Sequence, residues 1–520
     1  MNAPLVEIHD LSIRFGEHTA VSNVSLSVRA GTCVALVGES GSGKSTIARA
    51  VLGLGDQAAR TSSTTMLIDG VDASGWTERD WRRVRGRFAG LVLQDALVSL
   101  DPLRSVRREV TEAVRAGGAS RKEAPEKVLG LLRDVGFPDP EKRSGQFAHQ
   151  LSGGLRQRAL IASALGGSPR LLIADEPTTA LDVSVQRQVL DLLARKRDEG
   201  LGILLVSHDL AAVADIADHV IVLRGGKVIE QGPPSALLHS PGHPYTRELV
   251  QAIPRLHHRP DRTERTAESP APEVVLHAES IRVQYRTLTA LDDVSLTLKR
   301  GQTVGVVGQS GSGKSTLLRV LLATQQPQSG QVLLDGQPWS DLPEKARRQR
   351  RRRIQVVPQD PLSSFDPRWT VRQILTEALP GKAGRAECAQ ALEAVAVPVD
   401  VLQRRPLELS GGQRQRVAIA RALAAEPEVL LCDEAVSALD VLVQAQILAL
   451  LERIRAERGI SMVFVSHDLA VVRQVSDEVI VLKDGHVVES GTADDVYERP
   501  QHAYTKSLLA SLPPALSEGA

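Results

Sequence analysis

Gly38-Glu39-Ser40-Gly41-Ser42-Gly43-Lys44-Ser45-Thr46 follows the apolar run Val34-Ala35-Leu36-Val37 and leads into Ile47-Ala48-Arg49-Ala50-Val51-Leu52. The order reads strand, glycine-rich loop, helix, and the loop fits the phosphate-binding pattern G-x-x-x-x-G-K-[ST]. Glycines let a backbone wrap close around a phosphate so that several N–H groups point inward. The helix that follows adds its positive N-terminal end. Gly38, Ser40, Gly41, Gly43, Lys44, Ser45 and Thr46 are therefore candidate phosphate contacts. Lys44 is placed to reach a β- or γ-phosphate, and the Ser45 hydroxyl to ligate Mg²⁺. Such a match arises by chance about 0.02 times in a chain this long. Here it occurs twice, which excludes two unrelated flexible turns. Gly308-Gln309-Ser310-Gly311-Ser312-Gly313-Lys314-Ser315-Thr316 follows Val304-Gly305-Val306-Val307 in the same context. Its candidates are Gly308, Ser310, Gly311, Gly313, Lys314, Ser315 and Thr316.

The second loop belongs to an internal duplication. Phe15 and Tyr285 are 270 residues apart, as are Lys44 and Lys314. Gln94 and Gln359 are 265 apart, Glu176 and Glu434 258, and His208 and His467 259. These drifts fall between motifs, where loops accept insertions. Residues 1–253 and 274–520 read as two copies. A polar, proline-bearing linker joins them over 254–273, and its His257-His258 pair reads as solvated. Alternating segments such as Val24-Ser25-Leu26-Ser27-Val28 and Val294-Ser295-Leu296-Thr297-Leu298 predict half-buried antiparallel strands. Continuous apolar runs, such as Leu171-Leu172-Ile173-Ala174 and Ile203-Leu204-Leu205-Val206, suit a parallel sheet covered on both faces. Each copy is thus expected to be an α/β domain with a small antiparallel sheet.

A chain of 520 residues exceeds a single core. The balance of 63 basic and 62 acidic residues argues against a polyanion-binding surface. An aromatic content of 3% leaves few platforms for stacking nucleic-acid bases. Cys33, Cys388 and Cys432 are scattered, so neither a disulfide framework nor a cysteine-built metal site is expected. With no signal peptide and no apolar run of about 18 residues, the expectation is a cytoplasmic protein that does not span a membrane. The basic run Arg347-Arg348-Gln349-Arg350-Arg351-Arg352-Arg353 reads as a solvated helix face, with a loop of a membrane protein or anionic lipid as the alternative partner.

Between the repeated loops and the chain's later strands lie the other candidates. Asp175-Glu176 and Asp433-Glu434 end apolar runs, where ligands bind in parallel sheets. The Asp is suited to holding Mg²⁺, and the Glu to orienting or deprotonating an attacking water. Leu151-Ser152-Gly153-Gly154 and Leu409-Ser410-Gly411-Gly412 each open a helical run, giving a capped helix start with a bare backbone aimed at an anion. His208 and His467 each follow a strand, in Val-Ser-His-Asp-Leu. A neutral imidazole there is able to donate one N–H to a phosphate while a neighbour fixes the other nitrogen.

The order P-loop, glutamine, Leu-Ser-Gly-Gly, Asp-Glu, Ala-Leu-Asp, His resembles the ATP-binding-cassette (ABC) family, in both copies. The resemblance implies two tandem P-loop, RecA-like cores, each with an antiparallel β subdomain and an α-helical signature subdomain. It implies ATP and Mg²⁺ as ligands. By motif, Phe15 and Tyr285 would stack on adenine. Gln94 and Gln359 would ligate Mg²⁺ with Ser45, Asp175, Ser315 and Asp433, and would sense a permease. Ser152, Gly153 and Gly154, and likewise Ser410, Gly411 and Gly412, would contact the γ-phosphate held by the other copy. Asp182 and Asp440 would lie across the interface, and His208 and His467 would hold the γ-phosphate.

Gln359-Asp360-Pro361-Leu362-Ser363-Ser364-Phe365-Asp366-Pro367, Ala438-Leu439-Asp440-Val441 and the tails His243-Pro244-Tyr245-Thr246 and His502-Ala503-Tyr504-Thr505 are similar to the oligopeptide/dipeptide/nickel importer ATPases. Ala503 replaces the expected proline, and Ala435 stands where the first copy has Pro177; neither touches a phosphate ligand. This resemblance implies two transmembrane permease subunits, a solute-binding protein and a place on the cytoplasmic face of the membrane. Some relatives carry an iron–sulfur cluster after the tail motif, and none is expected here. A tandem-cassette ATPase acting on ribosomes is the alternative, but this linker is short and proline-bearing. A DNA-repair cassette would require zinc-spaced cysteines, and tandem sugar-importer ATPases often have one eroded site.

Overall fold

The computed structural model describes residues 3–254 and 273–512, apart from 57, 95–98, 180, 287, 382 and 438. The greater part of the expected linker, His257-His258 and Ala438 lie outside the described residues. Each copy is built around a six-stranded sheet. In the first, the spatial order is Lys227–Gly232, His219–Arg224, Cys33–Gly38, Gly202–Ser207, Leu171–Asp175 and Ala89–Val92. Only the first of these neighbours is paired antiparallel; the others run parallel. The second copy repeats the order with His486–Thr492, Glu478–Lys483, Thr303–Val307, Ser461–Val465, Val429–Asp433 and Ile354–Val357.

Strand alternation divides each copy into layers. Along Cys33–Gly38, the side chains of Cys33, Ala35 and Val37 join one apolar cluster, and Val34 and Leu36 join another on the opposite face. The first cluster holds the helices Val106–Ala116, Ala124–Asp134 and Gly153–Leu165. The second is closed by the P-loop helix Lys44–Ala50 and the antiparallel strands Val6–Phe15 and His18–Val28. Burying both faces explains why these strands read as unbroken apolar runs. It leaves the C-terminal strand ends as the open edge on which the loops with chemistry sit.

The copies also pack on one another. Val441 and Leu442 of the second copy join the first copy's helical-side cluster, and Val183 of the first packs against the second's. Cys33, Cys388 and Cys432 are buried free thiols. Burial pushes the thiols of Cys33 and Cys432 up to about 12. Among the described residues, no helix is long and apolar enough to cross a membrane.

The basic run is not the solvated face that its composition suggests. Arg347 donates to the Ser340 carbonyl, Arg350 to the Pro338 and Leu334 carbonyls, and Arg351 to the Leu322 carbonyl and Glu344. Arg353 is bound to Glu428 and Asp335. In the first copy Arg85 reaches the Leu52 and Gly53 carbonyls at 2.8 and 2.7 Å. Leu52 and Leu322 lie just beyond the P-loop helices, where carbonyls have no partner within the helix and the dipole is negative. The arginines satisfy those ends, which is why both copies place basic residues before the glutamine strand. Within the run Arg348, Gln349 and Arg352 are the exposed residues.

Candidate nucleotide sites

Each P-loop leaves the central strand at a glycine that no other residue could replace. Gly38 has φ 155°, and a Cβ there would stand 2.1 Å from the Leu223 carbonyl oxygen; at Gly308 the corresponding oxygen, of Leu482, would be at 2.2 Å. The helices Lys44–Ala50 and Lys314–Leu321 start from Gly43 and Gly313, both left-handed. Lys44 Nζ donates to the carbonyls of Gly38 and Glu39, both at 2.8 Å. Lys314 Nζ donates to those of Gly308 and Gln309 at 2.6 and 2.9 Å. Burial lowers the affinity of both lysines for their proton. Glu176 and Asp440 oppose this at Lys44, and Glu434 and Asp182 at Lys314.

The carboxylates come from the strands beside the central ones. Asp175 and Asp433 end Leu171–Asp175 and Val429–Asp433, and both carboxyls are raised, first by burial and then by the adjacent glutamate. Ser45 Oγ donates to Asp175 Oδ1 at 2.8 Å. Asp433 Oδ1 is buried without a partner. Glu176 and Glu434 follow with φ of 49° and 45°, a left-handed turn that costs about 1–2 kcal/mol in a residue with a Cβ. Their N–H groups bond the Val206 and Val465 carbonyls of the next strand. The turn is the same before Pro177 and before Ala435, so the proline is not what sets it.

Glu176 Oε2 accepts from Gln94 Nε2 at 2.8 Å and from Thr179 Oγ1 at 3.0 Å. Glu434 Oε2 accepts from Gln359 Nε2 at 2.9 Å. His208 Nδ1 stands 3.4 Å from Glu176 Oε2, and His467 Nδ1 3.1 Å from Glu434 Oε2. Burial works against charge on both partners, yet the glutamates are lowered and the histidines raised, because each pairs with the other. This geometry links the histidine chemistry to the ring's protonation form. With Nδ1–H directed at a carboxylate, a neutral ring has no proton left on Nε2. Donation from Nε2 then requires the imidazolium, which the glutamate favours.

A cleft of about 490 Å³ collects most of the second set. It is lined by Ser310, Gly311, Gly313, Lys314, Ser315 and Thr316 of the loop, by Gln359, Glu434 and His467, and by Tyr285 at its rim. Asp182 of the first copy completes the wall. Across the other contact, the N–H of Ser40 points to Asp440 Oδ2 at 3.5 Å. A small cavity of about 100 Å³ between the copies is lined by both histidines. Phe15 is half-buried against the antiparallel side of its own core, and Tyr285 is 39% exposed.

Ser152 and Ser410 stand, in extended conformation, at the residue before the helices Gly153–Leu165 and Gly411–Leu423. Among the described residues, no hydrogen bond joins either serine to the opposite P-loop. Their glycines pack closely within their own copy. A Cβ on Gly154 would meet Val185 at 2.7 Å, and one on Gly412 would meet Val443 at 2.6 Å. Val185 and Val443 are the residues whose N–H groups Asp182 and Asp440 accept.

Three further features escaped the sequence reading. Tyr245 Oη accepts the N–H of Glu39, and Tyr504 Oη that of Gln309, each at 3.1 Å, so both tails reach back to a P-loop. Replacement of Pro244 by Ala503 leaves this contact intact, since the first helical N–H has no intrahelical partner anyway. Gln309 Nε2 donates across the interface to Ser184 Oγ at 2.9 Å. Ser410 Oγ accepts from the Gln413 N–H at 3.3 Å, whereas Ser152, with Leu155 at the matching position, has no side-chain cap. Comparing the two copies residue by residue would have found the last two differences; nothing local points to the tyrosines.

Two copies of a P-loop, an acidic strand end, a strand-end histidine and a glycine-capped helix define a tandem P-loop ATPase. The sequence profile described as ABC transporter matches residues 21–179 and 291–437, and that described as Oligopeptide/dipeptide transporter, C-terminal region, matches 229–277 and 488–519. The chain therefore belongs to the ATP-binding proteins of the ABC transporter family, and it binds and hydrolyses ATP. It is 40% identical over 536 residues to the peptidoglycan transport ATP-binding protein YejF of Agrobacterium fabrum, covering 98% of this chain and 96% of that one. It is 38% identical over 559 residues to the glutathione import ATP-binding protein GsiA of Shigella flexneri, covering 98% and 90%. The archaeal ribosome recycling factor aABCE1, solved with the stalk protein aP1, shares the fold at a TM-score of 0.62 and 21% identity over 92% of this chain and 88% of that one.

Proposed function

We propose that the chain is the ATP-hydrolysing motor of a membrane importer for peptides or a related small solute such as a nickel chelate, an opine or glutathione. Residues 1–253 and 274–520 are the cassettes, and 254–273 links them. The observation that carries this reading is the docking of both importer-type tails on the P-loops, through Tyr245 and Tyr504. The near full-length likeness to proteins named for glutathione import and peptidoglycan transport supports it. The partners are two permease subunits and a solute-binding protein, and the chain lies peripherally on the cytoplasmic face. Nucleic acid and an iron–sulfur cluster are not part of the assembly.

Site one joins Phe15, Lys44, Ser45, Gln94, Asp175, Glu176 and His208 to Ser410 and Asp440 of the other copy. Site two joins Tyr285, Lys314, Ser315, Gln359, Asp433, Glu434 and His467 to Ser152 and Asp182. The unpartnered Asp433 Oδ1 beside the P-loop fits a hard cation, and Ser315, Gln359 and Asp433, like Ser45, Gln94 and Asp175, would hold Mg²⁺. Mg²⁺ would neutralise charge on the β- and γ-phosphates. The lysines exchange their loop carbonyls for phosphate oxygens. Glu176 and Glu434, kept ionised by their histidines, orient the attacking water and take its proton. His208 and His467 carry a proton at Nε2 toward the γ-phosphate. Closure of the two copies over ATP drives the permeases through alternating access.

Co-expression tests this reading. With permeases encoded beside it, the chain should co-purify with membranes and hydrolyse ATP faster when peptide-loaded binding protein is added. Stable co-purification with ribosomes instead, without membrane recruitment, would overturn it.

A further inference from the structure

The second residue of each P-loop is held from behind by a tail tyrosine, but its side chain goes to different places. Glu39 faces Arg224 of its own copy, with Oε1 3.9 Å from the guanidinium Nε. Gln309 crosses to the first copy and donates to Ser184 Oγ at 2.9 Å. Ser184 has already spent its only proton, donating to Asp182 Oδ1 at 2.8 Å. Its oxygen is therefore free only to accept. An amide N–H meets that need, and a carboxylate at 309 would set one acceptor against another. The opposite interface lacks both halves of the pair. Glu39 has no side-chain N–H to give, and the residue matching Ser184 is Leu442, packed into the apolar cluster of the first copy. The donor and the acceptor thus occur together at one interface and are absent together at the other.

We propose that Gln309 and Ser184 form a one-sided latch that keeps site two closed around nucleotide while site one opens. Tyr504 holds the backbone of Gln309, and Ser184 ties the latch to Asp182, whose carboxylate also caps the helix Val183–Asp198. Opening site two therefore requires breaking a hydrogen bond that anchors two helix starts. Among the described residues, the polar contact across site one is the long one from the Ser40 N–H to Asp440, beside the apolar packing of Val441 and Leu442. Gln309 and Ser184 are positioning residues: they act on the timing of opening and touch no reacting atom. The proposal rests on the reading of both clefts as nucleotide sites.

The test is release of a fluorescent ADP from the full-length chain, loaded with Mg²⁺ and chased with unlabelled ADP. The native chain should show two phases of similar amplitude. Gln309→Leu and Ser184→Ala should each accelerate the slow phase about fivefold, the effect of one neutral hydrogen bond, and leave the fast phase alone. The double variant should be no faster than either single one. Ser184→Thr keeps the hydroxyl and should keep the slow phase. The pair Glu39→Gln with Leu442→Ser installs the latch at site one and should slow the fast phase, whereas Glu39→Gln alone should not. A native chain that releases in one phase, or single variants that accelerate both phases equally, would overturn the latch. Failure of the native chain to retain any nucleotide would overturn the site assignment beneath it, and the latch with it.

Discussion

In the first site, Ser45 holds Asp175 at 2.8 Å and Glu176 accepts from Gln94 and Thr179; in the second, Asp433 Oδ1 has no partner and Glu434 accepts from Gln359. At the second site, Ser437 Oγ, which replaces Thr179, donates to the backbone carbonyl of Glu434 instead. The two sites thus share every group that would meet the reacting phosphate and water, and differ in the groups that restrain them. A duplicated fold fixes where a carboxylate emerges, because that is set by strand order. It leaves free the small residues around the carboxylate, whose exchange costs one hydrogen bond at a time. The difference between the sites should therefore lie in how tightly each is held, rather than in whether it works.

The strongest way to break that comparison is to remove each base. Glu176→Gln and Glu434→Gln keep shape and hydrogen bonding but lose the basic carboxylate. Each should lower steady-state ATP hydrolysis of the assembled transporter at least about tenfold, with ATP still bound, because removing a general base costs 10²–10⁴-fold and the sites share one interface. Near-full activity in either variant would show that site to be a binding site only.

A smaller effect should sharpen the comparison at the tails. Tyr245→Phe and Tyr504→Phe each leave a P-loop N–H without its acceptor, and should raise KM for ATP about fivefold with little change in kcat. Tyr504→Phe should have the larger effect, since Gln309 also holds the opposite copy. Equal effects would argue that the cross-copy bond adds nothing to nucleotide retention. Smaller still is the contrast between Ser45→Ala and Ser315→Ala. Without metal or nucleotide, Ser45→Ala strips the donor from the buried Asp175 and should cost about 1–3 kcal/mol. That lowers the thermal midpoint of the first copy by roughly 2–4 °C per kcal/mol. Ser315→Ala should leave the midpoint of the second copy unchanged, and equal losses would erase the distinction.

The strand–loop–helix order and the acidic strand ends were legible because each depends on a local rule. Glycine is required where a Cβ would strike Leu223, and an apolar run must end where a sheet meets its ligand. The arginine run misled for an equally physical reason. Charge is visible in sequence, whereas the helix-end carbonyls of Leu52 and Leu322 that bind it are not. The histidine motif was legible, but the protonation form was not, since it depends on which nitrogen faces Glu176 or Glu434. Tyr245 and Tyr504 sit more than two hundred residues or nearly two hundred from their partners, a distance over which no local pattern speaks.

That proton yields the last and smallest prediction, a titration. His467 is raised above the ordinary histidine value of about 6.5, although burial alone would lower it, because Glu434 lies 3.1 Å away. Asp468 adds to the rise and Lys314 opposes it. A raised folded pKa means that the pair's stabilisation is fully present below about pH 6.5 and fades as pH climbs through the folded value. The lowered Glu434 sets the other limit, since its share is lost as pH falls through its own folded value. The NMR titration of His467 in the nucleotide-free chain should therefore have its midpoint above 6.5. In Glu434→Gln the anion is gone and burial remains, so the midpoint should drop below 6.5. His208 should follow the same course with Glu176→Gln, by a smaller margin, since its contact is longer at 3.4 Å. A native midpoint below 6.5 at both histidines would place the proton on the other nitrogen in a neutral ring, and the imidazolium would not be the form that meets the phosphate.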